Sequence, residues 1–406
     1  MKSMTLFSQT PHPEKKEKHK YFLGYSVSFF LLSGLLLPSN PAWALPFYVL
    51  VVPLFILVIA RSRADLPYPQ ILIFFLLTIG WFGLSIFWGE SPDTRRMYKY
   101  LNATFSNSIY LIVSFWLFSG VLLPRFCMAS FARLFTAACF VNVLISFLFY
   151  DWSTWERLSG YAETRHPILG GYIVSLAIPM ALLVFDRGMQ RYDRLFSVLA
   201  LLSSVAFVFL TGSRGAWLTC TAALCGYVIV RTRSVRILVI LGFCALAIGF
   251  AVQLGGLHSD FISENVGRES YRLLIWKDTL THILERPFLG HGVQSNPILA
   301  EHFSFPHSLY VSALYYGGVF GLLALLGSFL CGARAVCHIK GISEKAFSLS
   351  LLAIPFVGGL TDMGQLIKPP SEEWYIVWLP LIIVCSLCFK NHQRTNPSGD
   401  TGRSHS

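Results

Sequence analysis

Long apolar blocks joined by short polar connections set the pattern of this chain. Ile71 to Trp88 and Leu195 to Leu210 are two of them, almost free of charge and long enough to cross a bilayer as helices. Amphipathic alternation of the kind a soluble domain needs is scarce. Counting blocks predicts about twelve transmembrane helices. They fall near 21–38, 42–60, 70–88, 107–124, 128–150, 168–185, 195–211, 214–230, 235–253, 308–332, 346–361 and 374–390. The expected fold class is therefore all-α and polytopic, a single integral membrane domain over 1–406. Within it the longest polar stretch, about 255–306, forms a helical loop on one side.

Charge orients the spans. Lys15, Lys16, Lys18 and Lys20 precede the first block and place the N-terminus in the cytoplasm. Every second connection is then basic: Arg61/Arg63, Arg187/Arg191/Arg194, Arg231/Arg233/Arg236 and Arg334/Lys340/Lys345, followed by a cytoplasmic tail with Lys390 and Arg394. One loop departs from the rule. Arg95, Arg96 and Lys99 fall on the outer side, either as a surface helix or as a patch that attracts an anionic substrate. The first block, with Ala42-Trp43-Ala44 behind it, also resembles a signal peptide. Its length and the spans that follow favour a retained helix.

Composition changes this picture little. The chain is 54% hydrophobic and 13% charged, too apolar for a soluble protein. Its net charge of +11 collects in short loops and includes no basic stripe in a soluble domain, so nucleic acid is not an expected partner. Nine cysteines lie within apolar blocks or cytoplasmic segments, which argues against disulfides and zinc sites.

The candidate chemistry gathers on the outer side. Thr211-Gly212-Ser213-Arg214-Gly215 is a tight turn that puts Arg214 at a helix start, as a snorkelling residue or as an anion clamp. In the long loop, Arg268, Arg272 and Trp276 recur every four residues and share one face of a helix. Arginine forks match phosphate oxygens, whereas Trp276 stacks on a sugar or packs on the membrane. Pro287 to Gly292 reads as the turn that ends this helix. His307 opens an apolar helix, where a neutral imidazole is favoured and available as a base. Gly317, Gly318 and Gly321 lie deeper in that span and permit close helix approach. Asp362 ends another span on the same side, placed to orient a histidine or pair an arginine. There is no Walker A loop, HExxH or DxD.

At these residues the chain resembles the bacterial O-antigen ligase family and its relatives, the O-antigen polymerases and protein O-oligosaccharyltransferases. The resemblance covers the span pattern and is sharpest at Gly212 to Trp217, at Arg272 to Trp276, and at His307-Ser308 with Gly318 and Gly321. The arginine motif of the family ends in leucine where Trp276 stands here. The resemblance implies a GT-C-like, metal-independent, inverting glycosyltransferase of the bacterial inner membrane that needs no cofactor. Its donor would be an undecaprenyl-diphosphate-linked glycan and its acceptor lipid A-core, both reaching a periplasmic site through the membrane lipid. His307 would match the base, Arg214 and Arg272 the residues that engage the diphosphate, and Asp362 a supporting carboxylate. A polymerase shares this chemistry. A lipid-linked glycan transporter would place ionisable residues at mid-membrane in several spans.

Overall fold

The computed structural model describes residues 18–62, 66–89, 94–153, 156–188, 190–232, 271–295, 297, 299 and 302–395. They form α1 (Lys18–Ser33), α2 (Asn40–Pro46), α3 (Val52–Ser62), α4 (Gln70–Leu84), α5 (Thr94–Ser119), α6 (Met128–Leu148), α7 (Pro167–Ser175), α8 (Ala177–Arg187), α9 (Arg191–Leu210) and α10 (Arg214–Thr232). After the long loop come α11 (Arg272–Glu285), α12 (Leu309–His338), α13 (Ile342–Thr361) and α14 (Leu379–Thr395). Nine helical segments among the described residues are long and apolar enough to cross a membrane: 40–61, 70–88, 94–119, 128–148, 167–187, 191–210, 309–338, 342–361 and 374–393. The chain is an all-α polytopic membrane protein. α1 and α10 also coincide with expected spans but fall outside that set of nine. The expected span near 235–253, residues 255–270 of the long loop, and Arg268 lie outside the described residues.

Polarity is arranged as a bilayer requires. Leu77, Leu148 and Leu330 are exposed along the spans, whereas Ser114, Asn142 and Ser350 are buried between helices. Asn142 of α6 donates to the carbonyls of Leu35 (2.8 Å) and Tyr161 (2.9 Å) and accepts from Thr164 (2.8 Å), so one amide ties two connections together. Trp43 is fully buried and stacks on Phe30 of α1 at 5.2 Å. Trp43, at the centre of the segment that resembles a cleavage site, is thus part of the packed interior.

The described residues of the connections at 149–166, 211–213, 271–308 and 362–373 share one face of the bundle, called here the upper face. Arg157 donates to the Thr211 carbonyl (2.8 Å), and Gln365 to that of Val293 (3.3 Å). The lower face carries Arg133–Asp193 (3.0 Å), Arg187–Glu344 (2.9 Å) and Arg231–Asp186 (2.8 Å). The pairing agrees with the alternation read from the basic loops. Arg95, Arg96 and Lys99 are helical, as the surface-helix reading of them had it. They sit in the first two turns of α5, because no glycine or proline interrupts Thr94 to Ser119.

α12 is broken inside the membrane. Gly318 stands at φ 63° and ψ −166°, a conformation essentially confined to glycine. The break frees backbone groups that lipid cannot satisfy. The segment Pro287 to Gly292 satisfies them. His291 N–H donates to Tyr315 O (2.8 Å), Gly292 N–H to Tyr316 O (3.0 Å), and Val319 N–H to Pro287 O (2.8 Å). The Trp81 indole caps Gly317 O at 2.9 Å. Gly317 and Gly321 pack against Phe82 of α4, which is the close helix approach expected of them. Gly318 faces the strap instead, where a Cβ would lie 2.0 Å from the Phe288 carbonyl oxygen. Gly318→Ala is therefore expected to cost at least the roughly 1–3 kcal/mol of a strained backbone. The measurement is a thermal midpoint in detergent, and an unchanged midpoint would refute this account of the break.

Candidate active site

Three helix ends converge on the upper face. α10 lies against α13 through a stripe of small buried residues, Gly215, Thr219, Ala223 and Gly226. Ser350 of α13 donates to the Ala223 carbonyl (2.6 Å). At the upper end the contact is tightest: a Cβ on Gly215 would lie 2.6 Å from both Thr361 Oγ1 and the Tyr172 hydroxyl. Those two oxygens hydrogen-bond to each other at 2.6 Å, which brings α7 to the same corner. The turn before α10 is shaped locally. Gly212 takes φ 59°, and Ser213 Oγ accepts from the Ala216 N–H (3.3 Å). Arg214 thus begins α10 at the surface, next to the Thr361–Asp362 end of α13.

α12 meets α13 one step away. Ser308 donates to Gly359 O and Ser312 to Met363 O, both at 3.3 Å, while Leu309 fills the space above Gly359. This register places His307 Nδ1 3.0 Å from Asp362 Oδ1. With Nδ1–H donating to the carboxylate, the lone pair sits on Nε2. His307 adopts φ 53°, a left-handed conformation that costs a non-glycine residue about 1–3 kcal/mol. The strain is held by its surroundings. Phe305 packs on the imidazole with centroids 3.9 Å apart, and Phe303 meets it edge-on at 5.8 Å. The Trp276 indole N–H donates to the Pro306 carbonyl at 3.0 Å. Trp276 therefore fixes the segment that carries His307.

Arg272 begins α11 one turn before Trp276, partly buried. Its charge and that of Asp362 both reach the Tyr172 hydroxyl. Arg214, Arg272, His307 and Asp362 are thus gathered around one corner. Arg96 is held elsewhere, with its guanidinium 3.5 Å from the Gln294 carbonyl, and Arg95 is exposed on α5. His291, by contrast, is buried, stacks on Tyr315 at 4.6 Å and contacts His282 O at 2.7 Å, a packing role.

Sequence reading passed over a second group on this face. His166 caps α7 and accepts from Leu169 N–H at 3.4 Å. Partial burial lowers its pKa against the pull of Asp362, and the positive charges of Arg157 and Lys368 add to the lowering, so it lies within electrostatic reach of the Asp362 carboxylate. Beyond it, Lys368 pairs with Glu373. Burial alone would depress the lysine, but Glu373 and Glu372 hold its pKa above the ordinary value. The second oxygen of Glu373 is buried and finds no hydrogen-bond partner among the described residues. Glu163 is buried as well, 3.5 Å from the Asn40 amide. Burial first, and then Glu372, push its pKa from the ordinary 4.5 to about 8. The legible signal was two connections unusually rich in charge, Glu156 to His166 and Lys368 to Glu373, on the side already chosen.

Glu163 makes the fold sensitive to rising pH. A carboxyl raised in the folded state contributes stability below its unfolded pKa, and that contribution is lost as pH rises through about 8. The wild-type thermal midpoint should therefore fall between about pH 4.5 and 8 more steeply than that of Glu163→Gln. Parallel curves for the two proteins would show that Glu163 is not the group responsible.

Comparison with known proteins bears on what this corner is. The family model described as O-Antigen ligase matches residues 197–326, a stretch that runs from α9 into α12 and contains Arg214, Arg272 and His307. The chain is also 26% identical to the O-antigen ligase of Pseudomonas aeruginosa strain PAO1, with 84% of this chain and 97% of that protein covered. Residues 197–326 therefore match the O-antigen ligase family model, within a polytopic membrane protein that is similar to an O-antigen ligase along most of its length.

Proposed function

We propose that this protein transfers a glycan from undecaprenyl diphosphate to a sugar hydroxyl of lipid A-core, at the periplasmic face of the bacterial inner membrane. The observation that carries the reading is the His307–Asp362 contact at 3.0 Å, set beside Arg214 and Arg272 at one membrane face. A base aligned by a carboxylate and flanked by guanidinium groups fits removal of a proton and stabilisation of a departing diphosphate. Arg61, Arg187, Arg231 and Arg334 lie at the lower ends of their helices, which supports a cytoplasmic lower face and a periplasmic site.

In this mechanism Nε2 of His307 takes the proton from the acceptor hydroxyl. The oxygen attacks the anomeric carbon as the bond from that carbon to the diphosphate oxygen breaks. Arg214 and Arg272, with Arg268, meet the charge that develops on the leaving group. Undecaprenyl diphosphate departs, and the imidazolium returns its proton to water. Asp362 holds the ring in the productive tautomer and stabilises it when protonated. A single displacement inverts the anomeric centre. Because the sugar–phosphate bond is already activated, no nucleotide is consumed, and the arginines take the place of a divalent ion.

Reconstitution of purified protein with a lipid-linked glycan and lipid A-core tests this reading directly. Transfer is expected with EDTA present; activity seen only after magnesium or manganese is added would refute the metal-free mechanism. In cells, loss of the protein should leave core without O-antigen. Core carrying single repeats would identify a polymerase instead.

The roles of individual residues can be read in the same assay. His307→Ala should lower turnover about 10²–10⁴-fold, the usual contribution of a general base. His302, an exposed histidine five residues before His307 in the same connection, is the control, and His302→Ala should keep substantial activity. Lysine at Arg214 or Arg272 should restore little, since an ammonium cannot grip two phosphate oxygens at once. Near-normal turnover by His307→Ala would move the base elsewhere, with His166 next in line.

A further inference from the structure

The lower face, opposite the His307 corner, holds a pair of adjoining cavities where the start of α4 meets the ends of α12 and α14. Their volumes are about 540 and 610 Å³, and they share Ile71, His338, Cys388 and His392. Two kinds of surface line them. Ile71, Phe74, Cys331, Cys388 and Phe389 form an apolar wall at the depth of the spans. Arg334, His338, Lys340 and His392 form a basic rim. Arg334 and His338 lie four residues apart and share one face of α12. Glu344 also lines the first cavity, but Arg187 neutralises it at 2.9 Å, and Asn391 contacts its other oxygen at 3.5 Å. The rim therefore keeps a positive excess.

We propose that this double cavity binds an acidic phospholipid of the surrounding membrane. The phosphate would sit among Arg334, His338 and Lys340, and an acyl chain would run along Ile71 and Phe74. Charge complementarity selects an anionic headgroup, because the Glu344 carboxylate in the lining is already paired. The apolar wall selects a lipid over a soluble anion, which would leave that wall against water. Basic pockets between transmembrane helices on the positively charged side recognise acidic lipids in this way. The site lies at the other end of the spans from the arginines assigned to the donor diphosphate, so it is separate from the transfer reaction.

The test is native mass spectrometry of the purified full-length protein, delipidated and then exposed to equal amounts of phosphatidylglycerol and phosphatidylcholine. Phosphatidylglycerol should be retained preferentially. A double variant, Arg334→Ala with Lys340→Ala, should lose about thirtyfold of that retention, the scale set by removing two basic groups at a membrane surface. Both side chains are exposed, so the fold should survive. Cys388→Trp is an independent probe that fills the shared wall without altering charge, and it should lower retention of either lipid. Millimolar inorganic phosphate should not displace the bound lipid. Equal retention of the two lipids, undiminished retention in the double variant, or displacement by inorganic phosphate would each overturn the proposal.

Discussion

Close packing of α10 on α13 is the contact on which the site depends. Lipid tails are as apolar as leucine, so helices in a bilayer are held by close approach and by hydrogen bonds between them. The small stripe from Gly215 to Gly226 lets α10 lie against α13, and Ser350 bonds across to the Ala223 carbonyl. At the upper end that approach puts the Arg214 turn beside Thr361 and Asp362. α12 is locked to the same helix by Ser308 and Ser312. Each of the two locked helices delivers one of the candidate groups, Arg214 or His307, to the end of α13.

Strain is concentrated close to this corner. His307 and Gly318 both take positive φ, eleven residues apart on either side of the first turns of α12. The strap from Pro287 to Gly292 supplies the hydrogen bonds that the broken helix gives up. Trp276 and the two phenylalanines hold the other outlier. Such conformations persist only where the surroundings over-determine them. Here the surroundings are α11 and the strap that follows it, the same loop that contributes Arg272. The element that carries Arg272 also fixes His307.

The two membrane faces differ in how charge is used. On the lower face, arginines pair with carboxylates in exposed or half-exposed bridges, which add little to stability singly but agree with the orientation rule. On the upper face, titratable groups are buried or close to one another: Glu163, Lys368, Glu372 and Glu373 form one charged cluster, and His166 lies within electrostatic reach of Asp362 and Lys368. Sequestering charge in this way is costly unless it is paired, and displaced pKa values are what a reactive centre accumulates.

The sequence alone determined the helical membrane architecture and the sharing of one face by Arg214, Arg272, His307 and Asp362. Apolar blocks of bilayer length leave each connection only two places to be, and basic residues sort the connections between them. That information is one-dimensional and is read by counting. It could not show that His307 pairs with Asp362 across 55 positions, that Trp276 secures Pro306, or that Gly318 breaks α12 to receive a strap. Nor did it draw His166, Glu163 and Lys368 into the same neighbourhood. Membership of a face follows from hydropathy along the chain. Contact within a face follows from the register and angle at which helices cross, which small residues on two separate surfaces must fix together, and only the tertiary structure brings those surfaces into one place.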